Sequence, residues 1–228
     1  MPSTTIETVT APLFYFSPPT DGSAPYNRVN SPNWPSSDPT SQLPLSNWTP
    51  EKHNVRIENV RGKEDTYLLD EAGFQFFHSP ASHKLFLDNE EIKAEYYPES
   101  EELIKGITGA SRVVLFDHTI HRRIPGEADM VSKHQPVTEV HVNQTLASAT
   151  AHVYLHLPPE LALSLLEHRF QIMNLWQPIG HPAFDMPLTL CDFRTVDAER
   201  DLVGVARLAP ERKGETYRVR RSLFFSIQ

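Results

Sequence analysis

Short apolar segments separated by turn residues occupy the C-terminal third of the chain and limit the folds that it can adopt. Turn residues, among them Gly180 and Pro187, separate the segments QIMNLWQPI, PLTLCDF, LVGVARL and ETYRVRRSLFFSI. Short apolar runs between turn signals are typical of β-strands. Two earlier segments, HNVRIENVRGKEDTYLLDEAGFQFFHS and RVVLFDHTIHRR, predict paired strands and a buried strand. The pattern therefore predicts an extensive sheet.

Three other segments show helical spacing. Residues 92–105 carry charges at this spacing, and Pro98 is predicted to open a helix that ends near Gly106. Apolar positions recur every three or four residues within 146–157 and again after Pro158, which predicts two further helices. A few helices among many short strands predict an α+β fold, in which a mostly antiparallel sheet or barrel is covered by helices.

The N-terminal residues differ in composition. Proline and serine dominate residues 17–50, which have no sustained helical or strand period but contain Trp34 and Trp48. Because a solvated linker seldom carries two tryptophans, residues 1–50 are predicted to form an extended arm that packs on the body or on a partner subunit. Residues 51–228 are predicted to form the barrel domain.

Composition argues against several functions. The chain of 228 residues has 21 Lys and Arg against 29 Asp and Glu, and its formal charge of −8 argues against nucleic-acid binding. No segment approaches the roughly 20 consecutive apolar residues of a membrane-spanning helix, so no membrane insertion is expected. The single cysteine, Cys191, cannot form an internal disulfide, and the N-terminus has no secretory signal. A cytoplasmic location is therefore expected.

Four sequence blocks occur in an order and spacing that resemble a known family. They are YYPESEELIKGITGASRVVLFDHTIHRR, VHVNQT, HRFQIMNLWQPIGHPAFDMPLTLCDFRTVDAERDLV and GETYRVRR. From about Leu13 onwards, the chain resembles the gibberellin-desaturase-like and cephem-methoxylase-like proteins of fungi and bacteria. Most of those are non-haem iron, 2-oxoglutarate-dependent oxygenases of secondary metabolism. The resemblance implies a double-stranded β-helix, a jelly-roll barrel that holds its cofactor site in its mouth.

The resemblance also implies a metal site from which this chain departs twice. Such an iron centre takes two histidines and one carboxylate, and the family has His-x-Asp where this chain has His141-Val142-Asn143. A neutral amide binds a hard dication more weakly than a carboxylate does. In the family, the distal histidine and the arginine that binds 2-oxoglutarate follow the segment matched by GETYRVRR, and neither has a counterpart here by motif. The C-terminal part of the barrel is thus expected to be missing. The arm or another subunit would then complete the sheet, or its edge would stay open and favour a homodimer.

The candidate site residues fall into two groups. His141 and Asn143 are predicted to be catalytic, with His141 as acid, base or hydrogen-bond donor; a polar core residue and a metal ligand stay open as alternatives for His141. No residue is assigned to a metal. The residues predicted to contact substrate, for which scaffold roles stay open, are Gln144, Asn174, Trp176, His181, Asp192 and Arg194.

Some of these residues are expected to act in pairs. On strands, Asn174 would share a face with Trp176, and Asp192 would share one with Arg194. Two histidines four residues apart, at positions 152 and 156, would lie on one face of a helix. Without a third ligand, partly exposed surface histidines are favoured there over a metal site.

Three functions are compatible with these departures. The main hypothesis is a redox-neutral, metal-independent cyclase or isomerase that needs no cofactor and orients a polyketide- or terpenoid-like secondary metabolite in the former oxygenase cavity. The second is an Fe(II)/2-oxoglutarate-dependent oxygenase, a hydroxylase or desaturase, with Fe(II) and 2-oxoglutarate as cofactors. The third is a non-catalytic protein that binds a metabolite or pairs with a full-length oxygenase.

Overall fold

The computed structural model describes residues 7–29, 31, 33–126 and 136–221, which contain six strands and six α-helices. The strands are β1 (Thr8–Ser17), β2 (Tyr26–Arg28), β3 (Thr49–Glu58), β4 (His141–Val142), β5 (Leu202–Leu208) and β6 (Gly214–Val219). The helices are α1 (Leu69–Ala72), α2 (Asn89–Glu91), α3 (Tyr97–Thr108), α4 (Leu146–His156), α5 (Pro159–Leu166) and α6 (Ala198–Asp201). The predicted α+β class is confirmed.

The strands form two sheets that meet beside β4. In one sheet β1 pairs with β3 in antiparallel register over ten residues. The other sheet has the order β2-β5-β6-β4, in which β2 runs parallel to β5 and the other pairs are antiparallel. The Phe14 N–H donates to the Thr138 carbonyl at 3.3 Å, and the Val140 N–H donates to the Phe14 carbonyl at 2.9 Å. These bonds place the start of β4 next to β1.

Strand β1 supplies side chains to two hydrophobic clusters. Neighbouring strand residues point to opposite faces, so Tyr15 and Phe16 enter different clusters. The two clusters consist of Tyr15, Ile57 and Val219, and of Phe16, Trp48 and Val205. Burial raises the pKa of Tyr15 to about 12.

The sequence predicted an arm in residues 1–50. Its boundary at residue 50 stays a prediction, although β3 (Thr49–Glu58) runs across this position.

Several predicted strands are absent from the described structure, and these predictions were wrong. RVVLFDHTIHRR and QIMNLWQPI contain no strand, and no backbone hydrogen bond joins residues 112–120 or 171–178 to another described segment. An apolar run becomes a strand only beside a partner backbone. PLTLCDF ends in a 3₁₀ turn at Phe193–Thr195, and the strand predicted after Glu58 is replaced by a 3₁₀ turn at Glu64–Thr66 and α1.

The helix predictions were more accurate. Helices α4 and α5 occupy the two predicted segments. The helix predicted to open at Pro98 begins earlier, at Asn89, and includes a π-helical turn at Ile92–Tyr96. It ends at Thr108 rather than near Gly106, because the next residue, Gly109, adopts the left-handed conformation, with φ of 68°, that closes a helix. Within the described residues, no helix is both long and apolar enough to cross a bilayer.

Candidate functional site

The predicted catalytic residue His141 lies on β4, at the edge of the four-stranded sheet. Arg218 of the central strand β6 has a partner on each neighbouring strand. It is opposite His141 on β4 and opposite Val203 on β5. Residues directly opposite each other in antiparallel strands project from the same face. His141, Arg218 and Val203 therefore form a row across one face of the sheet.

One nitrogen of His141 is fixed by the backbone. Its Nδ1 lies 2.8 Å from the carbonyl oxygen of Glu139. Because a carbonyl only accepts, Nδ1 carries the proton and the lone pair of Nε2 is left for another group. Protein surrounds much of the ring although one side of the residue is open to solvent, and this burial lowers the pKa of His141, as does the charge of Arg218. A neutral ring whose Nε2 carries a lone pair can accept a proton or bind a metal.

The two residues after β4 lie in a short connection to α4. Asn143 is exposed, and its side chain bonds to His141 and opposes the fall in the pKa of that ring. The Gln144 Oε1 accepts a hydrogen bond of 2.5 Å from the Ser148 hydroxyl. The Thr145 hydroxyl caps α4 by accepting from the Ser148 N–H at 3.1 Å. The cap fixes the start of α4 immediately after Asn143 and Gln144.

Arg218 is a residue of this site that the sequence did not single out. The centre of its guanidinium lies 5.2 Å from the centroid of the Trp48 ring. Its atoms Nε and Nη1 are buried and have no hydrogen-bond partner among the described residues. The signal that could have identified it is the alternation in GETYRVRR, which places an arginine on the same strand face as Thr216.

The predicted substrate residues Asp192 and Arg194 form an ion pair. The Asp192 carboxylate accepts from the Arg194 Nε and Nη2 at 2.8 and 2.7 Å, and this bonding lowers the pKa of Asp192. The guanidinium of Arg194 also lies 3.8 Å from a Glu71 oxygen and 5.8 Å from the Tyr67 ring centroid. No bond or ring contact links this pair to His141 in the described ranges, so the structure places it against α1.

The remaining predicted substrate residues lie in an irregular segment. Asn174 is exposed, and Trp176 has an exposed fraction of 46%. The argument that a strand gives these two side chains one face does not apply, because no strand forms there. His181 is exposed, and its Nδ1 lies 2.8 Å from the Pro182 carbonyl oxygen. The roles of these three residues stay predictions.

The two histidines of α4 share a helix face, as predicted. The ring centroids of His152 and His156 are 5.6 Å apart, and the Phe116 ring stacks on His156 at 4.7 Å. Across the residues that the structure describes, no group of three or more His, Cys, Asp or Glu side chains could hold a metal ion.

Comparisons with known proteins identify the family. Residues 13–223 match the family described as "Oxidoreductase/YMDC permease-like domain". The chain is 33% identical over 174 residues to the hydroxylase/desaturase CTB9 of Cercospora beticola, with 71% of this chain and 53% of CTB9 covered. It is 30% identical over 220 residues to the alpha-ketoglutarate-dependent dioxygenase tstK of Talaromyces stipitatus, with 92% of this chain and 73% of tstK covered. The chain belongs to the fungal Fe(II)/2-oxoglutarate dioxygenase family of secondary metabolism.

A solved member of the dioxygenase family has the same fold. The iron and alpha-ketoglutarate-dependent endoperoxidase NvfI matches 98% of this chain and 79% of its own, with a TM-score of 0.82 and 24% identity. At this identity the likeness shows the fold alone. The chain spans 53% of CTB9, 54% of the oxidoreductase AN1597 of Emericella nidulans and 59% of the dioxygenase nvfI of Aspergillus novofumigatus.

The dioxygenase family contradicts the main functional hypothesis. A metal-independent cyclase or isomerase was predicted mainly because Asn143 replaces a carboxylate and a second histidine has no counterpart by motif. The homologues are Fe(II)/2-oxoglutarate hydroxylases, desaturases and endoperoxidases. The inference failed because an amide oxygen is still a ligand for a hard cation, so this change weakens a site without defining a new reaction.

Proposed function

We propose that the protein is an Fe(II)/2-oxoglutarate-dependent oxygenase, of the hydroxylase or desaturase type, that acts on a polyketide- or terpenoid-like secondary metabolite. The names of the relatives support the reaction class, and the NvfI-like fold supports a jelly-roll barrel as its frame. The observation that carries the proposal is the fixed tautomer of His141. Metal-binding histidines commonly donate the other ring N–H to a backbone carbonyl, as Nδ1 of His141 does to Glu139.

The described residues do not complete an iron centre. His141 supplies one nitrogen, and Asn143 beside it supplies a neutral oxygen instead of a carboxylate. No third metal-binding side chain joins them within the described ranges. The proposal is therefore confined to the reaction class and to the role of His141 as one ligand.

The experiment is an anaerobic titration of metal-stripped protein with Fe(II) and 2-oxoglutarate, in which the visible charge-transfer band of the chelate is recorded. We expect a saturable band in the wild type and none in His141→Ala. The matched control, His78→Ala, removes an exposed histidine and should retain the band. A wild-type protein without a band would contradict the oxygenase proposal.

We also propose that the protein forms a homodimer. Several large apolar side chains of the described residues are exposed, among them Leu85, Leu87 and Phe184, at 67%, 76% and 82%. Residues 112–120 contribute to this surface through Val114 and Phe116, which are 42% and 37% exposed. Apolar side chains on a segment without strand partners favour pairing with a second copy.

Sedimentation velocity tests the dimer. We expect twice the chain mass of 25.9 kDa, and a shift towards the monomer in Val114→Glu. Val9→Glu is the control, because Val9 is similarly exposed, at 49%, but lies on the paired strand β1. A wild-type protein that sediments as a monomer at every concentration would contradict the proposal.

A further inference from the structure

The peptide group between Glu139 and Val140 forms two hydrogen bonds, one at each end. Its N–H, that of Val140, donates to the Phe14 carbonyl oxygen at 2.9 Å. Its carbonyl oxygen, that of Glu139, accepts from Nδ1 of His141 at 2.8 Å. Because a peptide group is planar, its N–H and its carbonyl turn together. The bond to Phe14 therefore also sets the direction of the carbonyl that holds the His141 ring.

Strand β1 holds this peptide group at two further points. The Phe14 N–H donates to the Thr138 carbonyl oxygen at 3.3 Å, so the backbone of Phe14 bonds on both sides of Glu139. The Val140 side chain packs against the hydrophobic cluster that contains Tyr15. These contacts fix the residues in front of β4 against β1, both by backbone bonds and by packing.

Phe14 makes these bonds without any loss to the pairing of β1 with β3. Along an antiparallel strand, the N–H and carbonyl of successive residues point to opposite edges. Phe14 lies opposite Lys52 of β3, but it directs both of its backbone groups to Thr138 and Val140. Pro12, two residues earlier, faces the same edge, so its missing N–H removes no bond to β3.

We propose that Phe14 is a positioning residue for His141, so that the N-terminal strand is part of the iron site. A metal-binding histidine needs a fixed tautomer and ring direction, and loss of the groups that supply them lowers metal affinity roughly 10–100-fold. Phe14 acts only through the backbone of Val140 and Glu139. The inference rests on the proposed function only for the role of His141 as a ligand, because the tautomer of His141 needs no metal.

The test is long-range proton–nitrogen NMR of metal-stripped protein with isotope-labelled histidine, in which the two ring-nitrogen shifts report the tautomer. The His141 signals are identified by their loss in His141→Ala. We expect wild-type His141 to carry its proton on Nδ1. In Val140→Pro, which removes the N–H that bonds to Phe14, it should shift towards the Nε2–H form that unconstrained histidines prefer. Val140→Ala is the control, because it shortens the same side chain but keeps the N–H.

Phe14→Pro tests the other backbone bond and leaves the hydrogen bonds between β1 and β3 in place. It removes the N–H that donates to Thr138, and it should move the tautomer in the same direction but by less, because the bond from Val140 remains. The matched control is Thr10→Pro. Thr10 faces the same edge of β1, and no backbone bond joins it to the described residues in front of β4. Phe14→Ala, which keeps the N–H, should retain the wild-type tautomer.

The anaerobic Fe(II) titration provides a second readout. We expect Val140→Pro to need about tenfold more Fe(II), or more, for half of the charge-transfer band, and Val140→Ala to match the wild type. Circular dichroism checks the folding of each variant, and Phe14→Pro with its control decides the question if Val140→Pro does not fold.

Three results would overturn the inference and leave the oxygenase proposal intact. They are an unchanged His141 tautomer in the folded proline variants, an equal change in Thr10→Pro, and a wild type whose His141 carries its proton on Nε2. A wild type with the proton on Nδ1 but without the Fe(II) band would instead remove only the oxygenase proposal.

Discussion

The carboxylate of Asp192 accepts hydrogen bonds from both the backbone N–H and the side chain of Arg194, at 2.7 to 3.1 Å. The Asp192 side chain is only 8% exposed. Charge-assisted bonds at a buried carboxylate stabilise more than surface ion pairs do. We expect Asp192→Asn to lower the free energy of unfolding by about 2 kcal/mol in urea denaturation. Asp185→Asn, which breaks the exposed pair with Arg123, should cost less than about 1 kcal/mol. Equal losses of unfolding free energy in the two variants would contradict a larger contribution from the buried pair.

Acid should destabilise the protein through two carboxylates. Hydrogen bonds from Arg194 and Arg200 lower the pKa values of Asp192 and Asp201 below the ordinary value of 3.8. The unfolded state then binds more protons than the folded state in this range, so their contribution is present above pH 3.8 and is lost as the pH falls through the lowered values. Urea denaturation at successive pH values should show this loss, with a smaller slope in the double variant Asp192→Asn, Asp201→Asn. An unchanged slope would mean that Asp192 and Asp201 do not cause the loss of stability in acid.

His83 is predicted to stabilise an unusual backbone conformation. Phe86 has φ of 41°, and its N–H donates to Nε2 of His83 at 3.3 Å, while Nδ1 of His83 contacts Glu95 at 2.8 Å. His83→Ala leaves the buried Phe86 N–H without an acceptor and should cost about 1–3 kcal/mol in the free energy of unfolding. Chemical denaturation measures this change, and the exposed His78→Ala should show none. Equal stability of the two variants would mean that the His83 bond is dispensable.

Two glycines with the same backbone conformation make a matched pair. Gly73 and Gly62 have φ of 81° and 83°, but a Cβ at position 73 would meet the Phe193 Cβ at 3.2 Å, whereas one at position 62 would meet nothing within 4 Å. In both alanine variants the left-handed backbone conformation costs about 1 kcal/mol of stability. Only Gly73→Ala adds the close contact with Phe193. Gly73→Ala should therefore have the lower urea midpoint. Identical midpoints would mean that Phe193 moves without cost.

The sequence predicted elements whose hydrogen bonds are local better than those that depend on distant partners. The two helices from Leu146 onwards form hydrogen bonds within themselves, and their pattern located them correctly. LVGVARL, residues 202–208, became β5 because β6 follows it closely in the chain. RVVLFDHTIHRR has an equally apolar pattern and is not a strand. An apolar pattern shows which side chains can be buried. It does not show whether another strand lies alongside to accept and donate backbone hydrogen bonds.

The sequence predicted the part of the candidate site whose residues are close together in the chain. His141 and Asn143 belong to one short motif, and the structure holds them together at the end of β4. Arg218 reaches His141 only through the register of β4 and β6, which no spacing in the sequence reveals. Asp192 and Arg194 are close because a 3₁₀ turn, rather than the expected strand, brings them together.

The pairing of β1 with β3 has a consequence for protein synthesis. Ser17 pairs with Thr49 and Thr8 pairs with Glu58, so every residue of β1 is synthesised before its partner. At roughly 5–20 residues per second, the nascent chain carries TVTAPLFYFS as an unpaired, partly aromatic segment for a time on the order of seconds. The backbone groups of β1 thus stay without their strand partner until β3 has been translated.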